Sequence, residues 1–184
     1  INHQLPRGWV SYLVLAYSIT GILALLLVHP LKNEKAKSWV IIFNRAFYYT
    51  LIPLIILLFT AIFTRVLQYG YTEARYFVLL ISIWLTSVVL YFIFFKKATI
   101  KFIPISLFTF GLFALIFPYF NAFSVSKRSQ EKELMQVLTE NKLIVNGKID
   151  FKKAIVDTVA TEIENKFEFL TERLDKGYLK TFLD

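Results

Sequence analysis

The chain contains no cysteine, which excludes disulfides, thiolate metal centres and a cysteine nucleophile. Histidine is nearly as scarce: His3 and His29 stand alone, with no acid or thiol at ligand spacing, so no zinc site is expected. Acidic groups are missing where chemistry would need them. Residues 1–123 hold only Glu34 and Glu73, which leaves no pair of carboxylates for general acid–base work. No serine has a matching His/Asp arrangement, and the six glycines form no phosphate-cradling loop. Metals and cofactors are therefore not expected, and no catalytic residue stands out. An intramembrane transferase that uses one residue and a lipid-linked donor would still pass this filter.

What is abundant is apolar. Hydrophobic residues make up 57% of the chain and aromatics 17%, with a mean hydropathy of +0.56, well above an ordinary soluble domain. Four long runs, residues 9–28, 39–63, 76–95 and 102–123, each match the roughly 20 helical residues that cross about 30 Å of hydrocarbon. Residues 76–95 carry no charge, and fourteen of the twenty are Leu, Ile, Val or Phe. At about −0.3 to −0.6 kcal/mol each, such residues favour insertion of this run by about 4–8 kcal/mol. Residues 9–28 are too long for the apolar part of a signal peptide and lack a small-residue cleavage site after them, so they too read as a span. A chain that begins at Ile1, not Met, is expected to be part of a longer one.

Between the runs lie interfacial loops. Residues 29–38 contain Pro30 and a lysine cluster, with His29 read as an interfacial residue rather than a proton relay; residues 96–101 are short and basic. Pro53, in the middle of the second run, is expected to kink its helix. Pro104 sits where a first helical turn tolerates it, and Pro118 is expected to bend the far end of the fourth run. Arg45 has two readings. It snorkels, leaving residues 46–63 as the uncharged core, or it faces inward as an intramembrane polar residue lining a cavity.

After residue 123 the composition turns polar. Residues 126–141 carry Leu134, Val137 and Leu138 at helical spacing, and Asn146-Gly147 between short apolar stretches predicts a hairpin turn. Residues 157–176 predict an amphipathic helix with the stripe Val159, Ile163, Phe167, Leu170 and Leu174, the supporting pairs Glu162/Lys166 and Glu172/Lys176, and a stop at Gly177. About sixty residues bury too little surface to form a large core alone. This tail is expected to pack on the membrane domain, on a second copy in a homo-oligomer, or on further parts of a longer chain.

The net charge of +8 sits wholly in the first part. Residues 1–123 have ten basic residues against two acidic ones, whereas residues 124–184 have eleven of each. The excess lies at the ends of the apolar runs, where the bilayer supplies anionic lipid headgroups. A pI near 9.6 would point to nucleic acid in a soluble protein, but no basic face belongs to a soluble domain here, so nucleic acid is not expected. Counting spans puts residues 65–75 and the tail on one side, and the lysine loops 32–37 and 96–101 on the other. Each side claims six basic residues, and the concentration of lysines in two short loops tips those loops to the cytoplasm and the tail outside.

The densest polar constellation is Arg65, Gln68, Tyr69, Thr72, Glu73, Arg75 and Tyr76, with Gly70 as the turn and Thr72 as N-cap of the next helix. In one reading these residues cap two helix ends and bind headgroups. In the other they form a structured site: Glu73 pairs with Arg65 or Arg75, and one guanidinium remains for a phosphate or carboxylate. The segment Ser126-Lys127-Arg128-Ser129-Gln130 lies on the same face by span parity and would complete it.

The same residues carry a resemblance. Arg65-x-x-Gln68-Tyr69-Gly70-x-Thr72-Glu73-x-Arg75-Tyr76, Trp84, Tyr91, Ile103-Pro104, Ser126-x-x-Ser129-Gln130 and Asn146-Gly147-Lys148 are similar to the bacterial membrane proteins grouped as domain of unknown function 4153 (DUF4153). The likeness runs from about Trp9 to the tail helix. It implies further membrane helices before Ile1 and a place in the bacterial cytoplasmic (inner) membrane; it brings no substrate and no catalytic residue.

The expected architecture is all-α: a polytopic transmembrane bundle of four spans over residues 1–123 and a small, mainly helical soluble tail over 124–184. The leading functional expectation is a non-enzymatic membrane sensor, scaffold or assembly component. The alternatives are a transporter or channel subunit with a path near Arg45 and Pro53, and an enzyme acting on lipid-linked substrates.

Overall fold

A computed structural model of the chain describes residues 9–28, 38–95, 98–145, 148–149 and 155–173. Among these the fold is all-α apart from one small ribbon: α1 (Trp9–Val28), α2 (Ser38–Tyr69), α3 (Glu73–Phe94), α4 (Phe102–Ile116), α5 (Ala122–Glu140), β1 (Ile144–Val145), β2 (Lys148–Ile149) and α6 (Asp157–Thr171). Packing divides the chain into two units. The first joins Ile1–Arg65 with Phe77–Ile116, and the second joins Val66–Tyr76 with Phe117–Asp184.

Helix ends follow local chemistry. The first run and α1 coincide. The second run is exceeded, because nothing in residues 64–69 breaks a helix, so α2 continues to Tyr69 with Pro53 inside it. It stops at Gly70, whose φ of +70° is the left-handed conformation of a helix terminator and whose N–H bonds Val66 O at 2.9 Å. The third run begins three residues earlier than hydropathy indicated, at Glu73, whose carboxylate suits the positive end of α3.

The fourth run departs most from expectation. It is not one helix over 102–123: α4 ends at Ile116, a 15-residue helix. Pro118 is the cause, since it disfavours helix at Phe117 and brings no N–H of its own. A turn follows, and Asn121 then opens α5 by accepting the Ser124 N–H at 2.7 Å. At about 1.5 Å per residue α4 extends only about 22 Å. Among the described residues two segments are long and apolar enough to cross a membrane, Arg45–Tyr69 and Glu73–Phe94; the apolar stretches Ser11–Leu27 and Phe102–Ile116 are shorter.

In the first unit the core is a seam of side chains at helical spacing. Phe47, Leu51, Ile55 and Leu58 of α2 meet Trp84, Leu85, Val88 and Val89 of α3, with Val14, Ile22 and Leu25 of α1 and Ile103 of α4. Gly21 lets α1 approach closely: a Cβ there would lie 1.9 Å from the Phe47 ring. Polar contact inside this core is sparse, and Trp84 Nε1 donates to Ser106 Oγ at 2.9 Å.

In the second unit α5 and α6 pack through Leu134, Leu138, Leu143 and Leu170, flanked by Ile163 and Phe167 of the predicted stripe. α5 closes with paired bonds, Lys142 N–H to Thr139 O at 2.9 Å and Leu143 N–H to Leu138 O at 2.8 Å, while Lys142 takes φ +53° where glycine is usual. The ribbon is antiparallel with Ile144 opposite Ile149, as a hairpin requires; Asn146-Gly147 itself lies outside the described residues. α6 holds Glu162 and Lys166 at 3.5 Å, and Leu174, Lys176 and Gly177 lie outside the described residues.

Candidate functional site

The α2–α3 turn and α5 belong to the same unit, and α5 grips the turn through three consecutive elements of chemistry. Gly70 is buried, and a Cβ on it would meet Glu133 Cγ at 2.9 Å, Ser129 Oγ at 3.0 Å and Gln130 Nε2 at 3.1 Å. Only a residue without a side chain permits both this approach and the positive φ. Across the contact, the Tyr71 N–H donates to Ser129 Oγ at 2.9 Å. The Gln130 amide, only 4% exposed, donates to Tyr69 O at 3.0 Å and Tyr71 O at 2.8 Å. One side-chain nitrogen thus satisfies two carbonyls of the turn that no helical bond reaches.

The arginine of the turn faces the same backbone. Arg75 Nη1 donates to Tyr69 O at 3.1 Å and Gly70 O at 2.8 Å, and its guanidinium stands 5.4 Å from the Tyr69 ring centroid. Thr72 acts as the predicted cap, accepting the Arg75 N–H at 3.5 Å. Glu73 takes a partner that sequence spacing did not offer: Arg173, at the end of α6, donates through Nε at 2.7 Å. Arg173 also holds Glu172 at 2.8 Å and lies 3.9 Å over the Phe169 ring. Partial burial works against the Arg173 charge, but its hydrogen bonds to Glu73 and Glu172 and their charges outweigh it and raise its pKa.

Other named residues take different places. Tyr76 donates its hydroxyl to Phe120 O at 2.5 Å, and Arg128 donates to Ser124 O at 3.1 Å and to Tyr119 O. Lys127 is half-buried on α5, and Gln68 is exposed. Arg65 is half-buried and Arg45 exposed, and both belong to the first unit. The backbone of Tyr69, Gly70 and Tyr71 is therefore held jointly by Arg75, Ser129 and Gln130, while the Glu73 and Tyr76 side chains reach Arg173 and Phe120 O of the same unit.

Two contacts of the second unit, Arg173 with Glu73 and Lys166 with Glu133, went unread in the sequence. Arg173 lies 100 residues from Glu73, and no local pattern announces such a pair. Lys166 is 5% exposed, with Glu133 at 4.0 Å and Glu162 at 3.5 Å. Only the Glu162 pair was visible as an i,i+4 spacing. Glu133 therefore touches both the Lys166 ammonium and the position where Gly70 excludes a side chain. The chemistry of this arrangement is bracing: donors and acceptors saturate one another, and no side-chain polar atom buried among the described residues lacks a partner.

Among the described residues no group of three His, Asp or Glu converges as a metal site would require. The family described as domain of unknown function (DUF4153) matches residues 2–152. No curated protein and no solved structure matches the chain.

Proposed function

The chain belongs to the DUF4153 family, and from that premise we propose that it is an integral membrane protein of four spans in a bacterial cytoplasmic membrane, acting as a non-enzymatic component that couples its tail to its membrane helices. The observation that carries this reading is the exposure of its most apolar helices. Of the 18-residue apolar window within each of Arg45–Tyr69 and Glu73–Phe94, only 22% and 28% is buried. A core helix of a water-soluble protein would be mostly covered, and large apolar patches in water are rare. Ile56 and Phe63 on α2, Leu90 on α3 and Phe108 on α4 stand open, at 62%, 48%, 47% and 66% exposure.

Hydroxyls on these exposed faces are consistent with the same reading. Thr50, Thr60 and Thr64 on α2 and Thr109 on α4 each donate to the carbonyl four residues back, at 2.8–2.9 Å. A hydroxyl facing hydrocarbon needs such an internal acceptor, but the bond is not confined to such faces, since exposed Thr139, Thr161 and Thr171 on the polar helices α5 and α6 make it too. The short α4 crosses with local thinning of the bilayer or with the help of the residues that flank it.

Coupling rests on the grip of α5 on the 69–72 turn. That turn joins the two longest apolar helices, so a force on α5 or α6 reaches both through Gln130, Ser129 and the Glu73–Arg173 pair. A transporter path near Arg45 and Pro53 has no comparable support: both residues are exposed on α2, so further helices or a second copy would have to wall it.

The test is fractionation of the full-length chain expressed in a bacterial host. The expected result is retention in the membrane pellet through alkaline carbonate and release only by detergent. Recovery as a monodisperse species in detergent-free buffer would end the reading. The coupling is read by hydrogen exchange: Gln130→Ala should speed exchange at residues 69–76, and unchanged exchange there would remove the coupling role.

A further inference from the structure

The α4–α5 link combines two properties that seldom occur together. Its aromatic side chains, continued by Phe123 in the first turn of α5, are open: Phe117, Tyr119, Phe120 and Phe123 are 51%, 73%, 61% and 58% exposed. Much of its backbone, although irregular, is satisfied from within. The Phe120 and Asn121 N–H groups both bond Phe117 O, at 3.2 and 2.8 Å. Tyr119 O accepts from the Arg128 guanidinium, and Phe120 O accepts from the Tyr76 hydroxyl at 2.5 Å. The Asn121 side chain takes the Ser124 N–H at 2.7 Å. All of these groups lie in one unit.

A loop in water needs none of this, because water completes its carbonyls. Non-helical backbone beside lipid has no such solvent and must find partners in the protein. The exposed side chains are of the kind that settle at a membrane–water boundary, with rings in the acyl region and the Tyr119 hydroxyl at the headgroups. Charge agrees: residues 117–130 contain Lys127 and Arg128 and no carboxylate, which suits phosphate-bearing headgroups.

We infer that the aromatic link 117–123 is a lipid-interface anchor, its rings immersed at the acyl–headgroup boundary with Lys127 and Arg128 at the level of the lipid phosphates. This rests on the membrane reading above and adds a place at which the chain docks to the lipid. Tyr76 and Arg128 act as positioning residues, closing the carbonyls that immersion would otherwise strand.

These 184 residues contain no cysteine, so each introduced cysteine is the only site among them for a spin label. The full-length chain is reconstituted in phosphatidylcholine–phosphatidylglycerol vesicles with Tyr119→Cys, Phe120→Cys or Phe123→Cys. Ile56→Cys on α2 and Lys132→Cys on α5 serve as references. Collision with oxygen, which enters lipid, is compared with collision with a water-soluble nickel chelate. The expected result is a shallow lipid depth at 119, 120 and 123, between a deep label at 56 and an aqueous one at 132. Labels at the link as accessible to nickel as position 132 would overturn the anchor while leaving a deep position 56, and hence the membrane reading, intact. Labels shielded from both reagents would also overturn it, because protein from a second copy or from further helices would then cover the link. An aqueous label at position 56 would remove the membrane reading, and the anchor with it.

Discussion

The two units of this chain are held together by different physics. In the first, helices meet through Leu, Ile, Val and Phe at helical spacing, and hydroxyls turn back onto their own helices, as Ser18 does to Val14 O and Ser82 to Val78 O, both at 2.7 Å. In the second, a small apolar cluster around Leu138 and Leu170 is supplemented by directed contacts between side chains and backbone far apart in sequence. The first kind of packing is tolerant of exchange at constant volume and needs no water. The second fixes one geometry, because moving any donor strands a carbonyl. A unit of the first kind suits a lipid solvent, and one of the second suits a part that must hold or transmit a position.

Each unit has a glycine at its tightest approach, and the two glycines separate these principles. The largest effect is expected for Gly70→Val. A β-branched residue at φ +70° is strained, and its side chain would displace Ser129, Gln130 and Glu133 together. Strain of this kind costs about 1–3 kcal/mol, and loss of the bonds to the turn brings the total to about 2–4 kcal/mol. Thermal unfolding in detergent, followed with hydrogen exchange at α5 and α6, should show the second unit loosened. A protein as stable as the parent would mean that the turn is not gripped as described.

Gly21→Ala tests the other principle. Its φ is ordinary for a helix, so the whole cost is overlap with the Phe47 ring, about 1–3 kcal/mol. Phe47→Leu in the same chain should recover much of that loss, whereas no trimming of Ser129 or Glu133 should recover Gly70→Val, since its backbone strain remains. The double-mutant cycle gives the coupling directly. Equal rescue at both glycines would erase the distinction between the units.

The third effect is smaller and confined to the second unit. Gln130→Ala removes the donor to Tyr69 O and Tyr71 O, an expected loss of about 1–2 kcal/mol. Gln130→Glu should not restore stability, because a carboxylate cannot donate to either carbonyl. Trp84→Phe, which removes the comparable bond to Ser106 in the first unit, should cost no more than about 1 kcal/mol.

Legibility in the sequence followed the same division. The helices of the first unit are written in runs of apolar residues, and the bounds of α1 follow from its run alone, whereas the seam of α2 is not legible because apolar residues occupy most of its circumference. The α5 and α6 helices and the hairpin were equally readable, since Leu134, Leu138, Ile163 and Leu170 obey local spacing and Asn146-Gly147 is turn chemistry. The break after α4 was not, because hydropathy continues smoothly through Phe117 and Phe120 while Pro118 and Asn121 act on the backbone. Within the candidate site, Gly70 and Thr72 were visible, and of the segments expected to share a face, residues 69–71 meet Ser129 and Gln130. The partner of Glu73 was not: the pair Arg173–Glu73 depends on how α6 folds back within its unit, which no window of sequence contains.

That ion pair is the smallest effect and the most discriminating. The Arg173 side chain is 32% exposed and that of Glu73 17%, so solvent screens their attraction and Arg173→Gln should cost only about 0.2–1 kcal/mol. Glu73 also keeps its favourable place in the first turn of α3 when the arginine is gone. Salt separates this from a packing effect. The difference between parent and Arg173→Gln should shrink as ionic strength rises from about 0.01 to 1 M, over which the Debye length falls from about 30 to 3 Å. The penalty of Gly21→Ala, which involves no charge, should stay constant over the same range. A salt-independent loss at Arg173 would place its contribution in the stacking over Phe169 instead, and α6 would then be held to its own unit by the same contact physics as the first.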